Sequence, residues 1–125
     1  MKPPKEPPKT QDWPWPESLD AVTAAPQYHK VMFENERVRV LETRIRPGDF
    51  VPVHTHRWPC AMYVAKQSDF IRRDPEGRVL FDSRKLGPAP TEPMTQWIPP
   101  MAPHSVENVG SVEILLITTE LKEPR

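Results

Sequence analysis

Glycine is scarce in this sequence, with four in 125 residues, Gly48, Gly77, Gly87 and Gly110. They stand too far apart for a phosphate-cradling loop or a dinucleotide fingerprint. Cysteine is scarcer still. Cys60 is the single one, so it has no internal disulfide partner, and the cytoplasm is the expected location. Neither charge is in excess, since 17 Lys and Arg face 17 Asp and Glu. That balance leaves no electrostatic footprint for nucleic acid or an anionic membrane, and neither partner is expected. No run of about 18 apolar residues offers a membrane span, and the first ten residues hold no apolar stretch of the kind an export signal needs. Long proline-free windows with helical periodicity are missing too, because the chain carries 18 prolines. Proline lacks an N–H and blocks helix interiors, so an all-α fold is excluded.

What is present falls into two parts. Seven of the prolines precede residue 27 in MKPPKEPPKTQDWPWPESLDAVTAAP. Residues 1–27 read as an irregular, Pro-rich arm, either a polyproline II or disordered leader or a PxxP-type recognition segment. Its Trp13 and Trp15 are expected to dock on the folded part or on a neighbouring copy, because two large rings are poorly placed in water. Residues 28–122 read as one domain and 123–125 as a tail.

Within 28–122 the pattern is strand, turn, strand. His29 to Phe33 and the alternating RVRVLETRIR of residues 37–46 are strands, closed by Pro47-Gly48. Val51 to His56 and Cys60 to Arg72 continue as extended chain. Asp74-Pro75-Glu76-Gly77 has the form of a type I turn, so Phe70 to Arg73 pairs with Arg78 to Arg84 as a hairpin. Leu86 to Pro93 is a proline-rich loop, Met94 to Ile98 a strand, Pro99 to Pro103 a stiff connection, and His104 to Val109 a further strand. Val112 to Leu121 closes the set with a central apolar run. Some eight short strands at about ten-residue spacing predict an all-β sandwich or barrel.

The chemistry concentrates in the histidines. His54 and His56 are two apart on extended chain, so both rings project from one face of one strand, as two ligands of one metal require. His104 enters another strand and offers a third nitrogen. Strand parity places Trp58, Cys60, Met62 and Val64 on the same face as the pair, although Pro59 interrupts the count. His29 reads as a surface or core histidine. Arg39, Arg44 and Arg46 would suit a substrate carboxylate if one points inward. Arg72-Arg73-Asp74 reads as a polar hairpin shoulder, and Asn108 as the start of a turn. Pro47, Pro52, Pro59, Pro99 and Pro103 bracket the histidines and stiffen the chain where ligands must be held.

Gly48-x5-His54-x-His56, in PGDFVPVHTH, and Pro99-x4-His104-x3-Asn108 stand at the internal spacings, and in the order, of the two motifs of the cupin superfamily. The chain resembles that superfamily over residues 28–122. The resemblance implies an all-β, cupin-type jelly-roll barrel in a single domain, with a divalent metal in its mouth held by His54, His56 and His104. It also implies a homodimer formed through edge strands or the N-terminal segment. The sequence departs from the motif at the glutamate that would be the fourth ligand, where Cys60 and Ala61 stand, and Cys60 is the candidate fourth ligand. Three-histidine cupins include iron enzymes that oxygenate thiols, some with a cysteine at that position. Iron(II) is therefore the favoured metal, with zinc, nickel, copper and manganese as others. Trp58, Cys60, Met62 and Asn108 are the possible pocket-lining residues. The expected function is dioxygenase-like oxidation of a small organic molecule, and the alternative is a non-catalytic module that binds a metal or small ligand.

Overall fold

The alternation in RVRVLETRIR becomes a strand with one face inside, where Arg39, Leu41, Thr43 and Ile45 are buried and the residues between them are more open. A computed structural model describes residues 13–122, and the leader expected at 1–12 and the tail at 123–125 lie outside the described residues. The strands are β1 (His29–Glu34), β2 (Val38–Ile45), β3 (Phe50–His56), β4 (Cys60–Lys66), β5 (Phe70–Arg73), β6 (Val79–Asp82), β7 (Met94–Ile98), β8 (Met101–Asn108) and β9 (Ile114–Leu121). They form two antiparallel sheets, one ordered β1-β2-β9-β4-β7 and the other β3-β8-β5-β6. From β2 to β5, and again from β6 to β9, each strand enters the sheet opposite the one before it. That alternation wraps the chain into the expected jelly roll.

Two expectations are corrected. The run from Cys60 to Arg72 is not continuous, because β4 and β5 belong to different sheets and the chain crosses between them at Gln67, Ser68 and Asp69. Ser68 is buried at that crossing, and its hydroxyl would stand 2.0 Å from a Cβ on Gly110, so only glycine fits opposite it. The Pro99 to Pro103 segment is not a connection throughout, since β8 begins at Met101 and carries Ala102 and Pro103 as strand residues. The hairpin at residues 74–77 forms as expected, with Gly77 N–H donating to the Asp74 carbonyl at 2.9 Å.

Ahead of the barrel, a 3-10 turn at Glu17–Leu19 leads into one helical turn at Ala21–Ala24. Asp20 caps that turn by accepting from the Val22 N–H at 3.2 Å. Ala21 and Ala25 are fully buried, a burial that alanine's small apolar surface does not announce in sequence. Ala25 joins Ile45, Val51 and Ile114 in the core, against which Tyr28, Phe70, Val106 and Leu116 pack. Most of these side chains also form the floor of a cavity between the sheets. Trp13 and Trp15 meet each other edge to face, with centroids 4.6 Å apart. None of the described helices is long and apolar enough to cross a membrane.

Candidate metal centre

Four histidines from three strands converge on this cavity of about 530 Å³. His54 on β3 and His104 on β8 are direct cross-strand partners, and the register slips by one residue on either side of them. Between Val51 and His54 two residues on β3 face one on β8, and between His54 and His56 one residue on β3 faces two on β8. Pro52 lies in the first irregularity and Pro103 in the second. A bulge is where a strand tolerates a proline, and bulges re-aim side chains beside sites. The sequence places these prolines where the histidines need turning.

His29 corrects the sequence reading most clearly. It is buried at the head of β1, and a nitrogen on each of His29, His54 and His56 lies within 4.8 Å of the others, close enough to hold one metal ion. His104 stands beside them, its ring 4.4 Å from that of His54 and 5.7 Å from that of His56. Nδ1 of His29 lies 3.0 Å from the Ala25 carbonyl, Nδ1 of His54 lies 2.8 Å from that of Pro52, and Nδ1 of His104 lies 2.7 Å from that of Ala102. A carbonyl oxygen only accepts, so each Nδ1 carries the hydrogen and each Nε2 keeps its lone pair. That is how metal-binding histidines are oriented and tuned. Burial, helped by the neighbouring His56, lowers His29 from 6.5 to about 4 and His104 to about 3, and burial lowers His54 further still. The three rings are neutral at ordinary pH, the form that binds a metal. The donor set fits a divalent ion.

His56 is held differently. Its Nδ1 is 3.5 Å from Oε2 of Glu120, a carboxylate with 1 % of its surface exposed. Burial alone would raise the Glu120 carboxyl, but hydrogen bonds and charges from His56 and Arg39 outweigh it and hold the group below its ordinary value. Arg39 donates from Nε to Glu120 at 2.6 Å and, through its two terminal nitrogens, to both Asp20 oxygens at 3.0 and 3.1 Å. Asp20, Arg39 and Glu120 thus form one buried chain of charge that runs from the helical cap and ends against His56. Arg39 faces inward, but its donors are committed to protein carboxylates. Arg44 pairs with Glu42 and Glu113 at the surface, and Arg46 is exposed.

Of the other residues singled out by sequence, Trp58, Cys60 and Met62 line the cavity. Trp58 carries the Arg39, Arg57 and Lys122 cations over its ring at 5.1, 5.4 and 5.6 Å. Burial, and then the Glu120 charge, push the Cys60 thiol up to about 12, so it stands in the wall as a neutral thiol. Among the described residues, neither Cys60 nor His104 belongs to the set of donors that lie within 4.8 Å of one another. Asn108 does not line the cavity; its amide donates to the Ile45 and Val112 carbonyls at 2.8 and 2.9 Å, and its oxygen accepts from Gly110 N–H at 2.9 Å. Arg72, read as part of a polar shoulder, lines the cavity instead.

Comparison with protein-family models and with curated proteins finds no match. Solved structures do match. A cupin domain from Bordetella pertussis Tohama I is 25% identical, with a TM-score of 0.62 over 76% of this chain and 92% of that one. An RmlC-like cupin family protein with a double-stranded β-helix fold from Methanocaldococcus jannaschii is 11% identical, with a TM-score of 0.53 over 75% of this chain and 78% of that one. A polyketide cyclase from Streptomyces resistomycificus shares the fold at 18% identity and a TM-score of 0.50, over 76% of this chain and 64% of that one. With its two interleaved sheets and its motif histidines gathered in the barrel, the chain has the double-stranded β-helix fold of the cupins that it is similar to.

Proposed function

We propose that the protein holds one divalent metal, iron(II) in the favoured case, on His29, His54, His56 and His104, and oxidises a small organic molecule bound beside it with dioxygen. The observation that carries this reading is the set of three Nδ1 contacts to backbone carbonyls, which leaves each Nε2 free in a shared cavity. His29 supplies the donor that the missing motif glutamate leaves unassigned. Four neutral imidazoles leave the double charge of the ion uncompensated by its ligands, and such an ion supplies Lewis acidity and a redox couple when bound.

The chain's own residues do the rest. Glu120, ion-paired to Arg39, orients the His56 ring from behind. The apolar floor of Ile45, Val51, Ile114 and Leu116 excludes water from the substrate's body and strengthens polar contacts above it. Oxygen uptake by iron-loaded protein against a panel of thiols, catechols and diketones tests the reaction. Uptake with at least one class, lost in His54→Ala, is the expected result. Stoichiometric iron with no uptake across the panel would overturn the oxidation and leave a metal-binding module.

A further inference from the structure

Two arginines of the barrel stand in opposite circumstance, Arg39 buried and Arg72 half-buried. Arg39 satisfies its guanidinium on two carboxylates. Arg72, on β5, satisfies its own on none, for its Nε is buried without a hydrogen-bond partner and no acidic side chain of the described residues forms an ion pair with it. The neighbouring Arg73 is the one that takes the local carboxylate, meeting Glu107 at 2.8 Å. Arg72 instead lies over the Phe70 and Phe81 rings, its guanidinium carbon 5.7 and 5.6 Å from their centroids. The two rings are 5.4 Å apart. Ring faces of this kind steady a cation and fix its direction without neutralising it.

The cavity wall sharpens the contrast. Among the described residues its lining contains no aspartate and no glutamate, and Arg72 is its one permanently charged side chain. A partly desolvated guanidinium facing an apolar cavity is costly unless an anion meets it, and the protein provides none. We infer that Arg72 is the anchor for the carboxylate of a small organic acid, whose apolar body lies on the cavity floor and whose far end reaches the histidine cluster. The carboxylate is favoured over a phosphate because one guanidinium fork matches one planar, singly charged group. This rests on the cavity being the small-molecule site proposed above, but it does not require the metal.

The test measures thermal shifts and calorimetric binding of the full chain with a graded set of acids: acetate, benzoate, 3-phenylpropionate and 2-naphthoate. The amide of 3-phenylpropionate and phenyl phosphate serve as controls. Wild type, Arg72→Met and Arg72→Lys are compared, each with and without chelator and each with its metal content determined. The expected result is that 3-phenylpropionate binds wild type at least tenfold more tightly than its amide. Arg72→Met should lose that preference while keeping the wild-type metal content and affinity for the amide, and Arg72→Lys should keep part of it. The preference should persist in chelator, so a failed metal assignment and a failed anchor give different results. The inference is overturned if no acid in the set gains affinity from Arg72, or if Arg72→Met binds the acids as wild type does. A gain from Arg72 confined to phenyl phosphate would overturn the carboxylate assignment.

Discussion

His56 meets Glu120, at 3.5 Å from Nδ1 to Oε2, where each of the other three histidines meets a backbone carbonyl. One ring of the cluster therefore answers to a charge, and that charge is fixed by Arg39 at 2.6 Å. Glu120→Gln keeps the shape and removes the charge. Metal affinity should fall about 10-fold to 100-fold, the usual cost of losing a partner behind a ligand. Stability should fall by about 3 kcal/mol or more, because Arg39 loses one of its two buried counter-charges. Competition with a chelator and urea unfolding check the two effects, and unchanged metal affinity would contradict the orienting role of Glu120.

Acid should destabilise the metal-free protein. His29 and His104 sit at about 4 and about 3 in the fold, against 6.5 when unfolded. Below pH 6.5 the unfolded chain takes up protons that the folded chain refuses, so stability is complete above 6.5 and falls as pH drops toward 4. Each of the two contributes a slope approaching about 1.4 kcal/mol per pH unit within that window. Melting temperatures in chelator from pH 7 to pH 5 should decline, and less steeply in His29→Asn. A flat profile would contradict buried neutral rings.

Asn108 belongs to the scaffold. Asn108→Ala removes three hydrogen bonds to backbone groups and should cost about 3 kcal/mol, at about 1 kcal/mol each. Urea unfolding measures the loss, and metal affinity should stay as in wild type. Reduced metal affinity with full stability would instead place Asn108 in the site.

Much of the site was legible because it is local. His54 and His56 share a strand face through parity alone, and the motif spacing adds His104. His29 was not legible. Its neighbours carry no motif, and it reaches the cluster only because β1 lies in the sheet facing β3 and β8. For Arg39 the signal existed, since it alternates with Leu41, Thr43 and Ile45 along β2. A charge in phase with a buried face demands a partner, but Asp20 and Glu120 lie 19 and 81 residues away, and it is the register of β2 with β9, which sets Arg39 opposite Glu120, that brings the second of them to it. Arg72 was masked by company. Beside Arg73 and Asp74 it resembled a solvated shoulder, and only the register of β5 with β6 and β8 turns it inward.

The central claim is that the clustered histidines bind a metal, and calorimetric titration of chelator-treated protein with iron(II) under anaerobic conditions, and with zinc(II), tests it most directly. The account predicts one ion per chain with a raised melting temperature, by about 2.7 kcal/mol of added stability when free metal is 100 times its dissociation constant. It predicts that binding is lost in His54→Ala and weakened in His29→Ala. Absence of binding by wild type, or one retained ion per chain in His54→Ala, would contradict it.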